Sequence, residues 1–172
     1  MKLSARIAKK AAEDLAKIRG IARHKQAVMD NCMLLAEKLI EAGRFDTGRR
    51  LFVAGYTHDN SKFFGIEWDE MAPGTTCEDE HKKLKLRTAI SNHNRTNPHH
   101  PEYWGTIHQM PELETFEMVC DFKARAEGFG SSLTDYINNE ATKRWKFSKE
   151  DAVYKTIMYA VNLLCEKPFG AV

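Results

Sequence analysis

Apolar residues in this chain return every third or fourth position, and no segment sustains a two-residue alternation. Positions three and four apart share one face of a helix, whereas a strand needs alternation. The pattern specifies an all-α protein, a bundle of about six to seven helices. Ile7, Ala11, Leu15 and Ile18 define a helix over 4–19, with Ser4 as its cap and Gly20 as its stop. Ile21, Val28, Leu35 and Leu39 define a second over 21–42, ended by Gly43. Thr47 caps a third running to about Thr57. Residues 65–77 contain Pro73-Gly74 and read as a loop, and 78–92 return to helix.

The stretch NHNRTNPHHPEYWG holds two prolines and cannot be a long regular helix, because proline lacks an N–H and restricts the residue before it. Helices follow over 112–127, broken by Gly128 and Gly130, and over 132–145. Ser148-Lys-Glu-Asp151 resembles a capping box and starts a last helix through Leu164.

With 172 residues, the chain suits one domain with its own core. No apolar run is long enough to span a bilayer, so no membrane role is expected. The N-terminus is charged throughout and lacks the apolar core of a secretory signal, which points to a cytoplasmic protein. Cysteines at 32, 77, 120 and 165 form no CxxC pair, which excludes a zinc ribbon. Cys32, Cys120 and Cys165 fall in apolar helical stretches and read as reduced, buried thiols. Residues 1–25 carry eight basic and two acidic side chains, a local excess of +6 against +2 for the whole chain. Such a segment attracts phosphates of nucleotides or nucleic acid; a solvated amphipathic helix is the alternative.

Seven histidines occur, at 24, 58, 81, 93, 99, 100 and 108. The adjacent pair His58-Asp59 at a helix end offers one nitrogen and one oxygen ligand to a shared cavity. His24 lies one helix earlier and Asp121 on a later one, and antiparallel packing brings both to that cavity. Asp121 sits among apolar residues, and a buried carboxylate needs a cation or donors. Arg125, one turn on, is the alternative partner. His93 is an additional ligand candidate or a general acid. Glu117, one turn before Asp121, would orient a ligand as a second-shell base. Lys62 would contact a phosphate or leaving oxygen, unless it is a plain surface lysine. His99 and His100 would form a pocket wall, His81 reads as solvated, and His108 has no supporting context. Tyr103 and Trp104 could stack on a base or serve as packing anchors.

The order His24, His58-Asp59, Asp121 resembles the H…HD…D signature of the HD-domain superfamily of metal-dependent phosphohydrolases, an all-helical family. His58-Asp-Asn-Ser-Lys62 is similar to the HDxGK element of its cyclic-dinucleotide branch, with Ser61 in place of glycine. The GYP element of that branch is missing, so that substrate is not expected. The set RH (23–24), HDNSKF (58–63), NHNRTNPHHPEYW (92–104) and EMVCDFKA (117–124) resembles more closely a bacterial and phage family related to HD proteins, a domain of unknown function. This likeness spans roughly residues 20–125.

The resemblance implies one HD-like domain over 1–172, with a metal-site core at about 20–125 and helices 132–165 packed on it. His24, His58, Asp59, Asp121 and in some members His93 would bind a divalent metal, one of Mn, Fe, Co, Ni, Zn or Mg. Such a metal lowers the pKa of water from 15.7 to about 7 in favourable sites. Lys62, His93 and Glu117 would be the catalytic set. Lys62, Arg95, His99, His100 and Trp104 would hold the substrate, a nucleotide or other small phosphate ester. The alternative is a catalytically weak metal-, nucleotide- or nucleic-acid-binding protein of the same fold. A homodimer fits either reading. A purely structural metal is a third option, although N/O ligands suit an octahedral ion with open positions better.

Overall fold

The computed structural model describes residues 2–71 and 79–165. It is an all-α bundle with no strand among the described residues. The helices are α1 (Lys2–Glu41), α2 (Phe45–Thr57), α3 (Gly65–Glu70), α4 (Glu80–Thr96), α5 (Glu112–Phe129), α6 (Leu133–Tyr136), α7 (Thr142–Trp145) and α8 (Ala152–Cys165). A π-helical turn, Ile137–Ala141, joins α6 to α7 in one continuous helical body. Short 3-10 turns cover Asn60–Phe63, Pro101–Trp104 and Ile107–Gln109. No helix among the described residues is long and apolar enough to cross a membrane.

The core forms around α5, which is buried on several sides through Phe116, Met118, Val119, Cys120, Phe122 and Ala124. A helix buried all round must carry apolar residues off a single stripe, and α5 does. α1, α2 and α8 pack against it. Val28, Cys32, Leu35 and Leu39 of α1 and Leu51 of α2 are fully buried. Two glycines on α2 allow its close approach to α1. A Cβ on Gly55 would lie 2.6 Å from the Cys32 Cβ, and one on Gly48 would lie 2.8 Å from the Ala36 carbonyl oxygen.

Several expectations change. The helices read as 4–19 and 21–42 are one 40-residue helix, and Gly20 lies inside it. Glycine costs roughly 1 kcal/mol in a helix interior, too little to stop one with buried residues beyond and ion pairs such as Lys10–Asp14 (2.8 Å) before it. Gly43, at φ +80, does lie just past the end of α1. α2 begins before Thr47 and has no side-chain cap. Gly65–Glu70 is helix rather than loop, while Pro73-Gly74 and Cys77 lie outside the described residues. α4 runs on to Thr96, two residues before Pro98, and Asp79 caps it by accepting from the His81 N–H at 2.8 Å. Gly128 lies within α5, and only Gly130, at φ +64, ends it. Cys165 is exposed, whereas Cys32 and Cys120 are buried and reduced. The Ser148 cap takes the expected form, its N–H donating to Asp151 Oδ2 at 2.6 Å.

Gly48→Ala should destabilise the bundle. The new methyl would press on the Ala36 backbone oxygen, costing about 1–3 kcal/mol, against about 1 kcal/mol gained in helix propensity. Urea unfolding followed by circular dichroism should show a lower midpoint with an unchanged slope.

Candidate metal centre

Five elements converge on one buried cluster. α1 supplies His24, the end of α2 supplies His58, and the turn after it supplies Asp59. α4 supplies His93, the proline-bracketed segment supplies His99 and His100, and α5 supplies Glu117 and Asp121. Asp59 holds a left-handed backbone, φ 56 and ψ 20. This conformation costs energy for a residue with a Cβ and is tolerated best by Asn and Asp. It turns the chain sharply, so His58 and Asp59 face the same interior.

Asp59 lies at the middle. Its Oδ2 is 3.5 Å from His24 Nε2 and 3.4 Å from His58 Nε2. Its Oδ1 is 3.2 Å from His93 Nε2 and 3.5 Å from His99 Nε2. Asp121 Oδ1 lies 3.0 Å from His24 Nε2. The ligand atoms of His24, His58 and Asp121 all fall within 4.8 Å of one another, and those of His93, His99 and His100 do likewise. The cluster is thus two triads with Asp59 between them.

The Nε2 atoms of His24, His58, His93, His99 and His100, together with Asp59 Oδ1, are buried without a hydrogen-bond partner. Buried polar atoms are almost always paired. Six orphans aimed at one centre fit a missing cation rather than a packing fault. A third triad, His58, His99 and Glu117, also has suitable spacing. It presents the far side of His58, whose Nδ1 is already bonded to Glu117 Oε1 at 2.9 Å, so it orients rather than ligates. Glu67 does the same for His93, with its Oε2 2.7 Å from Nδ1. Each carboxylate holds the Nδ1 proton and leaves Nε2 bare toward the centre, as metal-binding histidines require. Ser61 donates to Glu67 Oε2 at 2.8 Å, and Asn92 donates to its Oε1 at 3.1 Å.

Burial works against every charge here, and the neighbours decide the outcome. Burial would raise the Asp59 carboxyl, but His58, His93 and Lys62 hold it well below the usual range. Burial also opposes ionisation of Asp121, and Arg125 and His24 overcome it. Burial lowers His58, yet Asp59 and Glu117 lift it to about 10. Burial and then His58 push His99 well down, and burial and then His93 push His100 down to about 3. Burial raises Glu117, against the pull of His58.

Cations rim the cluster. Lys62 Nζ bonds Asp59 Oδ2, and Arg125 Nε bonds Asp121 Oδ1 at 3.1 Å. Lys25 Nζ donates to the His58 carbonyl at 2.6 Å and to the Asn60 side chain. The His24 side chain is 23% exposed, against 3% or less for those of His58, His93 and His99, so the centre opens on the His24 side.

The structure thus brings together His24, His58, Asp59, His93, Asp121, Glu117 and Lys62. His99 and His100, expected as a pocket wall, aim ring nitrogens at the centre and join the ligand candidates. Arg95 does not join them. It is exposed on α4, lining an open groove with Arg87, Ser91 and Glu102. Trp104 is half-buried, donates from Nε1 to the Pro98 carbonyl at 2.8 Å and packs on the core, so it anchors the histidine-bearing segment. His81 and His108 are exposed. Sequence reading missed Glu67 and Lys25. The only available signal for Glu67 was an acid in an amphipathic stretch, GIEWDE, that was taken for loop.

The chain belongs to a family of unknown function (DUF5662), whose model matches residues 13–164. The match extends through the C-terminal helices, beyond the segment that carries the motifs. No curated protein and no solved structure matches the chain.

The electrostatics set a pH profile for chelator-treated protein. The unfolded chain protonates His99 and His100 near 6.5, while the folded chain resists, so stability falls as pH drops from about 6.5 toward 3. Loss of the depressed Asp59 and Asp121 charges adds to this at the acid end. His58 acts in the other direction: its contribution is complete below 6.5 and is lost as pH rises toward 10. Urea midpoints should therefore peak near pH 6.5 and fall on both sides, and a midpoint that climbs steadily to pH 10 would contradict the assignment.

Proposed function

We propose that this member of the DUF5662 family is a metal-dependent phosphohydrolase with a two-metal centre bridged by Asp59, acting on a nucleotide or another small phosphate ester. The observation that carries the reading is the convergence of five bare, buried imidazole nitrogens on a carboxylate whose two oxygens face different histidine sets. His24, His58 and Asp121 would hold one metal, and His93, His99 and His100 the other. Mixed N/O ligands of this kind suit Mn, Fe, Co, Ni or Zn. Metals bound there would supply a water of lowered pKa and neutralise phosphoryl oxygens. The order of the ligands along the chain supports the likeness to HD phosphohydrolases.

The chain's own residues have separable tasks. Glu117 and Glu67 keep His58 and His93 in the tautomer that presents Nε2. Burial of His93, His99 and His100 keeps bulk water from that side of the centre. Lys62 neutralises Asp59 and reaches a phosphate oxygen once a metal takes over the carboxylate. Lys25 and Arg125 flank the exposed His24 side and place positive charge where an anionic ester would enter. Arg95 and Trp104 stand outside this arrangement.

Purified protein should contain one to two equivalents of transition metal by mass spectrometry, and Asp59→Ala should lose it while keeping its helical circular dichroism. Folded, fully active wild-type protein free of metal would refute the reading. Glu67→Gln should weaken metal affinity by roughly 10–100-fold without removing a ligand. A panel of nucleoside mono-, di- and triphosphates, cyclic nucleotides and bis-p-nitrophenyl phosphate with added Mn²⁺ should show release of phosphate or nitrophenol. Silence across the panel, with metal bound, would replace hydrolysis by binding alone.

A further inference from the structure

The first half of α1 is a long surface arm. From Ser4 to Arg19, every residue but Asp14 and Lys17 is exposed. Its apolar residues form one stripe at three- and four-residue spacing, with Ile7 62%, Leu15 53% and Ile18 41% exposed. The flanks are basic. Residues 2–19 carry Lys2, Arg6, Lys9, Lys10, Lys17 and Arg19 against Glu13 and Asp14, or +4.

The second half of α1 carries the complement. With α2 it walls an apolar groove of about 310 Å³, lined by Met33, Ala36, Ile40, Gly48, Phe52 and Val53. Met33, Ile40, Phe52 and Val53 remain 37–55% exposed. Residues 26–41 carry Asp30, Glu37 and Glu41 against Lys38, or −2. Arg6 and Lys10 are four apart on the arm, and Glu37 and Glu41 are four apart beside the groove.

Arm and groove cannot meet within one molecule, because one unbroken helix, about 60 Å long, contains the arm and a wall of the groove. We propose that the chain is a two-fold dimer in which the arm of each copy lies in the α1–α2 groove of the other. In an antiparallel register that sets Ile7 beside Ile40, Lys10 meets Glu37 and Arg6 meets Glu41. Each contact occurs twice, as a two-fold axis requires. Opposite net charge on arm and groove favours this occupant over a like-charged arm-to-arm pairing. The proposal is independent of the chemistry at the metal centre.

The test is sedimentation velocity of the full chain at low salt across a hundredfold range of concentration. Wild type should sediment as a dimer of 19.7 kDa chains. The double variant Arg6→Glu, Lys10→Glu should shift to monomer, with at least tenfold weaker association. The variant Glu37→Lys, Glu41→Lys should do the same, and all four changes together should restore the dimer. All these positions are exposed surface charges, and circular dichroism verifies the fold of each variant. Ile7→Asp should also dissociate the dimer. A monomer at every concentration overturns the proposal, as does a dimer indifferent to these charges. So does a monomeric chain whose arm instead binds anionic vesicles or duplex DNA in titrations run alongside.

Discussion

The Asp59 carboxylate is buried among four imidazole nitrogens, and the surrounding structure serves to keep it there. An isolated buried carboxylate is too costly to persist ionised. Here Lys62, His58 and His93 offset that cost without a metal, so the cluster is assembled before any metal arrives. The left-handed turn at Asp59 fixes its direction, and the end of α2 fixes its depth. α5 then closes the cluster from below with Asp121 and Glu117, one turn apart on the most buried helix of the bundle.

Around this carboxylate the site has two depths. His93, His99 and His100 are sealed, and their environment holds His99 and His100 neutral. His24 and Asp121 lie toward solvent, with Arg125, Lys25 and Lys62 at the rim. The sealed half is rigidly framed, because Trp104 ties its segment to Pro98 while Asn92 and Ser61 hold Glu67. The open half is the one that an anionic ligand could reach. In the proposed reaction, the inner triad would mainly set charge and the outer triad would meet the substrate.

Much of this was legible in the sequence where physics is local. The three- and four-residue apolar spacing identified the helices, and His58-Asp59 at a helix end announced the cluster. Glu117 was legible because it sits one turn from Asp121. What escaped depends on distant partners. Glu67 acquires meaning only when α3 packs beside α4 and His93 faces it. His99 and His100 looked like pocket wall because two prolines hide the direction of the side chains between them. Gly20 looked like a stop because local propensity cannot register the burial that carries α1 through it. Cys165 looked buried because its apolar context continues to the last turn of α8, where coverage ends.

The unbroken length of α1 also determines which changes of chain length the protein can accept. His24 has no loop between itself and the α1–α2 contacts at Ala36 and Ile40, so its direction is a matter of helical phase. One residue inserted between them would rotate His24 by about 100° relative to the packed half. The same insertion ahead of Lys17 would leave the centre untouched and shift only the arm. Variation in length among relatives should therefore be permitted before Lys17 and forbidden between His24 and Ala36.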